Sequence, residues 1–179
     1  MEFKELVKTR QSDRSYENRA VEREKIEAVL EAARLAPSAN NSQSWTFVVV
    51  DEPELKNSVA KNTAAFGANF NQFAAQAPVI IAVVAEKPIL MLRIGNFIQQ
   101  KDYTQIDIGI AVENLVLQAS DLGLGTCILG WFKEKAIKKT LNIPKSKRLL
   151  LLVTLGYSTD KQRKKRRKAF DETVKWNKY

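Results

Sequence analysis

Hydrophobic and polar positions alternate along this chain with clear periods, and one stretch is far more apolar than the rest. Residues 107–130 read DIGIAVENLVLQASDLGLGTCILG. Ile108, Ile110, Val112, Leu115, Val116, Leu117, Ala119 and Leu122 cover nearly the whole helical wheel, interrupted by Gly109, Glu113 and Ser120. Asp107, Ala111, Asn114, Gln118 and Asp121 fall together on one narrow stripe at helical spacing. A helix so short of polar surface is buried on most sides. Gly123 stands where a left-handed residue closes a helix, and Gly125 is expected to keep the chain turning. The pattern therefore predicts a central helix that stops abruptly and delivers the backbone of Gly125–Gly130 to one place.

The remaining elements follow in order. Phe3, Leu6 and Val7 predict a short helix over Glu2–Thr9, and Ile26, Val29, Leu30, Ala33 and Ala36 predict a longer one over Glu22–Ala36. Its acids lie near the start, where the helix dipole favours them, and Pro37 marks its exit. A polar loop leads into a strand over Thr46–Val50, and Asp51-Glu52-Pro53 opens a helix with Leu55 and Val59 on one face. Phe66, Phe70 and Phe73 line up at helical spacing as core residues or, less simply, a substrate platform. Val79–Ala85 and Leu149–Tyr157 are near-continuous apolar runs, as central strands covered on both faces require. Lys133–Leu141 reads as a short basic helix stopped by Asn142 and Pro144.

Composition narrows the chemistry. The chain has 179 residues, one domain by length, and no run long enough to span a membrane. The start, MEFKELVK, lacks a signal peptide's apolar core, which predicts a cytoplasmic protein. A single cysteine, Cys127, excludes an intrachain disulfide and a cysteine metal cluster. There is no histidine, which removes histidine bases, histidine-assisted nucleophiles and histidine metal sites. An enzyme of this composition draws its chemistry from an organic cofactor. Net charge is +9, of which residues 161–179 hold +7 (nine Lys/Arg, two acids).

Three segments carry candidate chemistry. In Arg10-Gln11-Ser12-Asp13-Arg14 the alternate residues Arg10, Ser12 and Arg14 project to one side of an extended chain, as a phosphate clamp or a solvated loop. Pro37-Ser38-Ala39-Asn40-Asn41-Ser42-Gln43-Ser44-Trp45 is an amide-rich loop suited to a ligand edge. The run Lys161–Lys168 reads as a solvated arm, a nucleic-acid contact or part of an anion site. Nucleic acid is disfavoured, because no aromatic residue interleaves the run and no recognition motif accompanies it. Gly123 and Gly125 do not open a dinucleotide fingerprint: Ile128 holds the third position, and the segment follows a helix.

These segments, in this order, resemble the FMN-dependent nitroreductase family. Arg10–Tyr16 is similar to its R-R-S-x-R-x-F/Y, and 37–47 to P-S-A-x-N-x-Q-P-W-x-F, with Ser44 in place of the usual proline. Residues 107–130 resemble its signature helix and loop, and Gly156-Tyr157 followed by Lys165–Phe170 its K-P-R-K-P-L arm, both prolines replaced. The resemblance implies an α+β fold, a mostly antiparallel central sheet flanked by helices, in an intertwined homodimer with FMN at the interface. It implies one nitroreductase-like domain over residues 1–179, with 157–179 a basic arm lying on the partner. Arg10 and Ser12 would meet the FMN phosphate, Gln11 the ribityl chain and Arg14 the pyrimidine edge. Pro37, Ser38, Ala39 and Asn41 would reach the partner's FMN. Backbone around Ile128, Leu129 and Gly130 would bond near the reactive edge, and Lys165 and Arg167 would close the phosphate site. Asn69 or Asn71 would also approach the flavin. No side chain is required as a catalytic acid. The implied reaction is ping-pong, with NADH or NADPH as donor and a nitro compound, quinone or similar small molecule as acceptor; dehalogenation and flavin breakdown are alternatives on the same fold. Between residues 88 and 103 the chain is short where many relatives carry a longer lid.

Overall fold

A computed structural model describes residues 1–64, 70–87 and 90–179, with the side chains of 91–94 and 96 outside the description. Its sheet has four strands, β1 (Trp45–Val50), β2 (Val79–Ala85), β3 (Gly125–Leu129) and β4 (Arg148–Gly156), in the order β1-β2-β4-β3 with every neighbour antiparallel. The two near-continuous apolar runs are the two middle strands. Side chains alternate between faces, so β2 needs apolar residues at every position. Val79, Ile81 and Val83 face one cluster with α2 (Arg23–Arg34) and α5 (Tyr103–Asp121). Ile80, Ala82 and Val84 face the other, with α3 (Pro53–Lys61) and α6 (Glu134–Thr140). A bulge between Val83 and Val84 breaks the β2–β4 register.

Helix α1 covers Phe3–Thr9, and α4 covers Leu90–Gln99 where the chain is short. The central helix begins four residues before Asp107, because Asp102 caps it by accepting from the Gln105 N–H at 3.3 Å. Its end matches the expectation: Gly123 has φ +74°, and the Leu124 N–H returns to the Ala119 carbonyl at 2.8 Å.

The polar stripe of the central helix is buried at its start, where Asp107 is 3% exposed and the Asn114 amide donates to the Ala32 carbonyl of α2 at 3.2 Å, and exposed at its end, where Asp121 pairs with the N-terminal ammonium at 2.6 Å. The helix also shows Ile106 and Ile110 to solvent, 51% and 38% exposed. Two expectations need correction. Gly125 begins strand β3 rather than a turn, and its glycine is needed for close packing. A Cβ there would lie 2.6 Å from Ser158 Cβ and 2.8 Å from Asp13 Oδ2. The phenylalanine series is not one buried helix face, since Phe73 sits in a short 3-10 turn (Gln72–Ala75) and Phe70 is 70% exposed. Phe66 and Asn69 lie outside the described residues.

Candidate functional site

The site is built by two chain segments distant in sequence that run antiparallel along each other. The Glu17 N–H donates to the Tyr157 carbonyl at 2.9 Å, and the Thr159 N–H to the Ser15 carbonyl at 3.1 Å. The Arg163 N–H donates to Gln11 Oε1 at 2.9 Å, and Gln162 Nε2 to the Thr9 carbonyl at 3.0 Å. Lys165 Nζ reaches the Val7 carbonyl. This lacing lays the basic run beside Arg10–Arg14.

Between them opens a cleft of about 950 Å³ lined by Arg10, Gln11, Ser12, Arg14 and residues 163–167. The cleft thus gathers six of the residues singled out from sequence: Arg10, Gln11, Ser12, Arg14, Lys165 and Arg167. Of its nine described lining residues seven are Lys or Arg and none is acidic. Crowded cations with one hydroxyl and one amide form the donor set that a phosphate group accepts. Burial first, then the neighbouring Arg10 and Arg167 charges, push the Lys165 pKa below its ordinary value.

Three residues outside the sequence expectations hold the cleft in shape. Asp13 is 6% exposed, and its Oδ1 accepts from Gln11 Nε2 at 2.9 Å and Ser158 Oγ at 2.8 Å. Asp160 Oδ2 accepts the Arg14 N–H at 2.8 Å and Arg163 Nη1 at 3.0 Å. Arg163 also donates to the Ser12 carbonyl. Arg163 is hidden in sequence inside a uniform basic run, whereas Asp13 is the single acid within the first motif and Asp160 the acid just before the basic run.

Ile128, Leu129 and Gly130 do not line the cleft. Ile128 and Leu129 end β3 and Gly130 follows it; the outer edge of β3 meets the 10–14 segment at one parallel bridge, Ser12 with Thr126, where the Asp13 N–H donates to the Thr126 carbonyl at 2.8 Å. Backbone groups two residues apart in a strand point the same way, so Ile128 turns its N–H and carbonyl to that same outer edge. Leu129 is buried in the core, and a Cβ on Gly130 would meet nothing within 4 Å. Asn71 sits beside this segment: its Nδ2 donates to the carbonyl of Trp131, the residue after Gly130, at 2.9 Å.

Pro37, Ser38, Ala39 and Asn41 also lie outside the cleft, on a loop at the other end of α5's packing. Asp107 pins this loop by accepting the Ala39 N–H at 3.1 Å and Ser42 Oγ at 3.4 Å. Asn40, Asn41 and Gln43 have φ of 52°, 51° and 45°, a left-handed conformation that asparagine tolerates better than most side chains. Ser44 is 2% exposed, and its hydroxyl has no hydrogen-bond partner among the described residues. Ser44→Ala should therefore raise unfolding stability by about 1 kcal/mol, since an unpaired buried hydroxyl is removed. Urea denaturation checks this, and lower stability in the variant would contradict it.

The fold and site together define an α+β protein with a strongly cationic cleft and no metal-ligand cluster among the described residues. The family model for the nitroreductase family matches residues 7–157, and the chain belongs to that family of oxidoreductases. An Archaeoglobus fulgidus protein named for NADH dehydrogenase and NAD(P)H nitroreductase activity is 34% identical over 161 residues, covering 88% of this chain and 86% of its own. The iodotyrosine deiodinase of Haliscomenobacter hydrossis is 30% identical, covering 89% and 80%. The structure of an FMN-dependent nitroreductase from Clostridium difficile superposes with a TM-score of 0.79 at 28% identity, over 97% of this chain and 98% of that one. Among the described residues no helix is long and apolar enough to cross a membrane.

Proposed function

We propose that this chain is an FMN-dependent oxidoreductase that uses NADH or NADPH to reduce nitro compounds, quinones or similar acceptors, acting as a homodimer with FMN at the subunit interface. The observation that carries the reading is the cleft: it unites the two basic segments around a donor set suited to one phosphate. Arg10, Ser12, Lys165 and Arg167 hold that phosphate, and Gln11, oriented by Asp13 and Arg163, faces the ribityl chain. Arg14 lies toward the pyrimidine edge of the ring. The open edge of β3 at Ile128–Gly130 supplies backbone hydrogen bonds near the ring, and a Gly130 without neighbours leaves room for a flat group. FMN held by these residues would supply two-electron chemistry between donor and acceptor, as a ping-pong cycle requires.

The partner subunit completes the site in this proposal. The exposed Pro37–Asn41 loop, stiffened by Asp107, serves the partner's cofactor, and the chain acts as a single domain whose basic arm, 157–179, lies on the partner. Past the cleft the arm exposes Phe170 and Trp176, 70% and 80%, which that contact would cover.

Initial rates with donor and acceptor both varied test the activity. Parallel double-reciprocal lines are expected with nitroaromatic or quinone acceptors. Intersecting lines would contradict the ping-pong cycle, and donor oxidation coupled only to an iodotyrosine in the acceptor panel would move the reading to dehalogenation.

A further inference from the structure

Two of the cleft's cations are used neither by the fold nor by the flavin phosphate. Arg163 is tied to Asp160 and the Ser12 carbonyl, Lys165 to the Val7 carbonyl, and Arg10 lies 3.9 Å from Glu113. Lys164 and Arg166 line the same cleft, yet among the described residues their side chains make no ion pair or hydrogen bond. Both groups remain available to a ligand.

Charge gives an independent reason to expect one. A phosphate monoester carries about two negative charges near neutral pH. Of the seven lining cations, Arg163 is paired with Asp160 and Arg10 lies beside Glu113; less those two and the two phosphate charges, roughly three remain unneutralised. An arginine fork beside a lysine ammonium is well suited to a second phosphate, the fork for paired hydrogen bonds and the ammonium as a point charge.

We propose that Lys164 and Arg166 form a second phosphate subsite that takes the 2′-phosphate of NADPH, so that the chain prefers NADPH to NADH. The inference rests on reading the cleft as the FMN phosphate site, because the donor must dock beside the flavin. NADPH differs from NADH by that one phosphate, so a subsite of this kind acts directly on donor choice. A polynucleotide is the weaker occupant, since the run offers no interleaved aromatic residue for base stacking.

The test is equilibrium binding of adenosine 2′,5′-bisphosphate and of AMP to FMN-treated full-length protein at fixed salt. Wild type, Lys164→Ala/Arg166→Ala and Lys161→Ala are compared. Wild type is expected to bind the bisphosphate roughly tenfold or more tightly than AMP, as one or two charge-assisted hydrogen bonds would provide. The double variant should bring that ratio to within about twofold of one and lower the NADPH-to-NADH ratio of kcat/KM, while Lys161→Ala should keep both wild-type ratios. A wild-type ratio near one overturns the proposal. So does a double variant that retains the preference, or an equal loss in Lys161→Ala, the behaviour of a diffusely charged or polynucleotide-binding arm. Flavin absorbance on the same samples separates the two readings. A yellow protein without discrimination keeps the flavin and loses the second subsite. A colourless protein overturns the flavin reading itself, and the donor subsite with it, whatever the bisphosphate does in the empty cleft.

Discussion

Arg167→Ala is expected to weaken FMN binding by about ten- to a hundred-fold, whereas Lys161→Ala changes it little. A hydrogen bond to a charged group contributes ~1.5–3 kcal/mol, and ~1.4 kcal/mol is tenfold in affinity. Arg167 lines the cleft, and its charge already helps depress the pKa of neighbouring Lys165, so the two lie within electrostatic reach. Lys161 lies in the same basic run but is not a lining residue; it is its backbone carbonyl that accepts from Gln11 Nε2, at 3.2 Å. A simple electrostatic arm would treat the two substitutions alike. FMN dissociation constants for both variants, with DNA binding at two salt concentrations, separate the cases. Equal and negligible effects on FMN would place the phosphate elsewhere.

Ile106→Glu/Ile110→Glu should abolish dimerisation at micromolar concentration. The two isoleucines project from the solvent side of an otherwise buried helix, and neighbouring α4 exposes Leu90, Phe97 and Ile98 at 69%, 87% and 66%. Apolar surface of this kind marks an association face. In a two-fold dimer each substitution acts twice. Four half-buried side chains at about 1 kcal/mol each give on the order of 4 kcal/mol, or about a thousandfold in dissociation constant. Sedimentation of wild type as a dimer and of the variant as a smaller or unfolded species is the expected pair of results. A stable, folded wild-type monomer at micromolar concentration would contradict the dimer.

Sequence patterning located the elements where local signals were strong. β2 and β4 were legible because a strand apolar at every position must be covered on both faces. The end of α5 was legible because Gly123 marks a left-handed cap. The orientation of α5 was not, since a wheel that is apolar nearly all round does not say which side meets water. Only the contacts of Asp107 and Asn114 with the 37–44 loop and α2 settle it. Strand β3 was missed for a different reason: Gly125–Leu129 is too short for a period of two to stand out, and its first residue is a glycine.

In the site, residue types were legible and their assembly was not. Arg10, Ser12 and Arg14 declare an anion clamp by spacing, but nothing local tells that residues 157–165 run back along 7–17 to face them. That pairing depends on single contacts more than a hundred residues apart in sequence, such as Arg163 to Gln11 and Asp160 to Arg14. Asp13 was passed over as the unspecified position of a motif, yet it is the buried carboxylate that orders Gln11 and Ser158. A buried charge is retained only where partners compensate its lost hydration, and here those partners are the elements of the cleft.

The most direct test of the account is a flavin titration of the purified full-length protein, followed by removal of unbound ligand and an absorbance scan. One tightly held, non-covalent FMN per chain is expected, with a visible band near ~450 nm and retention that weakens as salt screens the cationic cleft. A protein that stays colourless after FMN is added and the excess removed would contradict it.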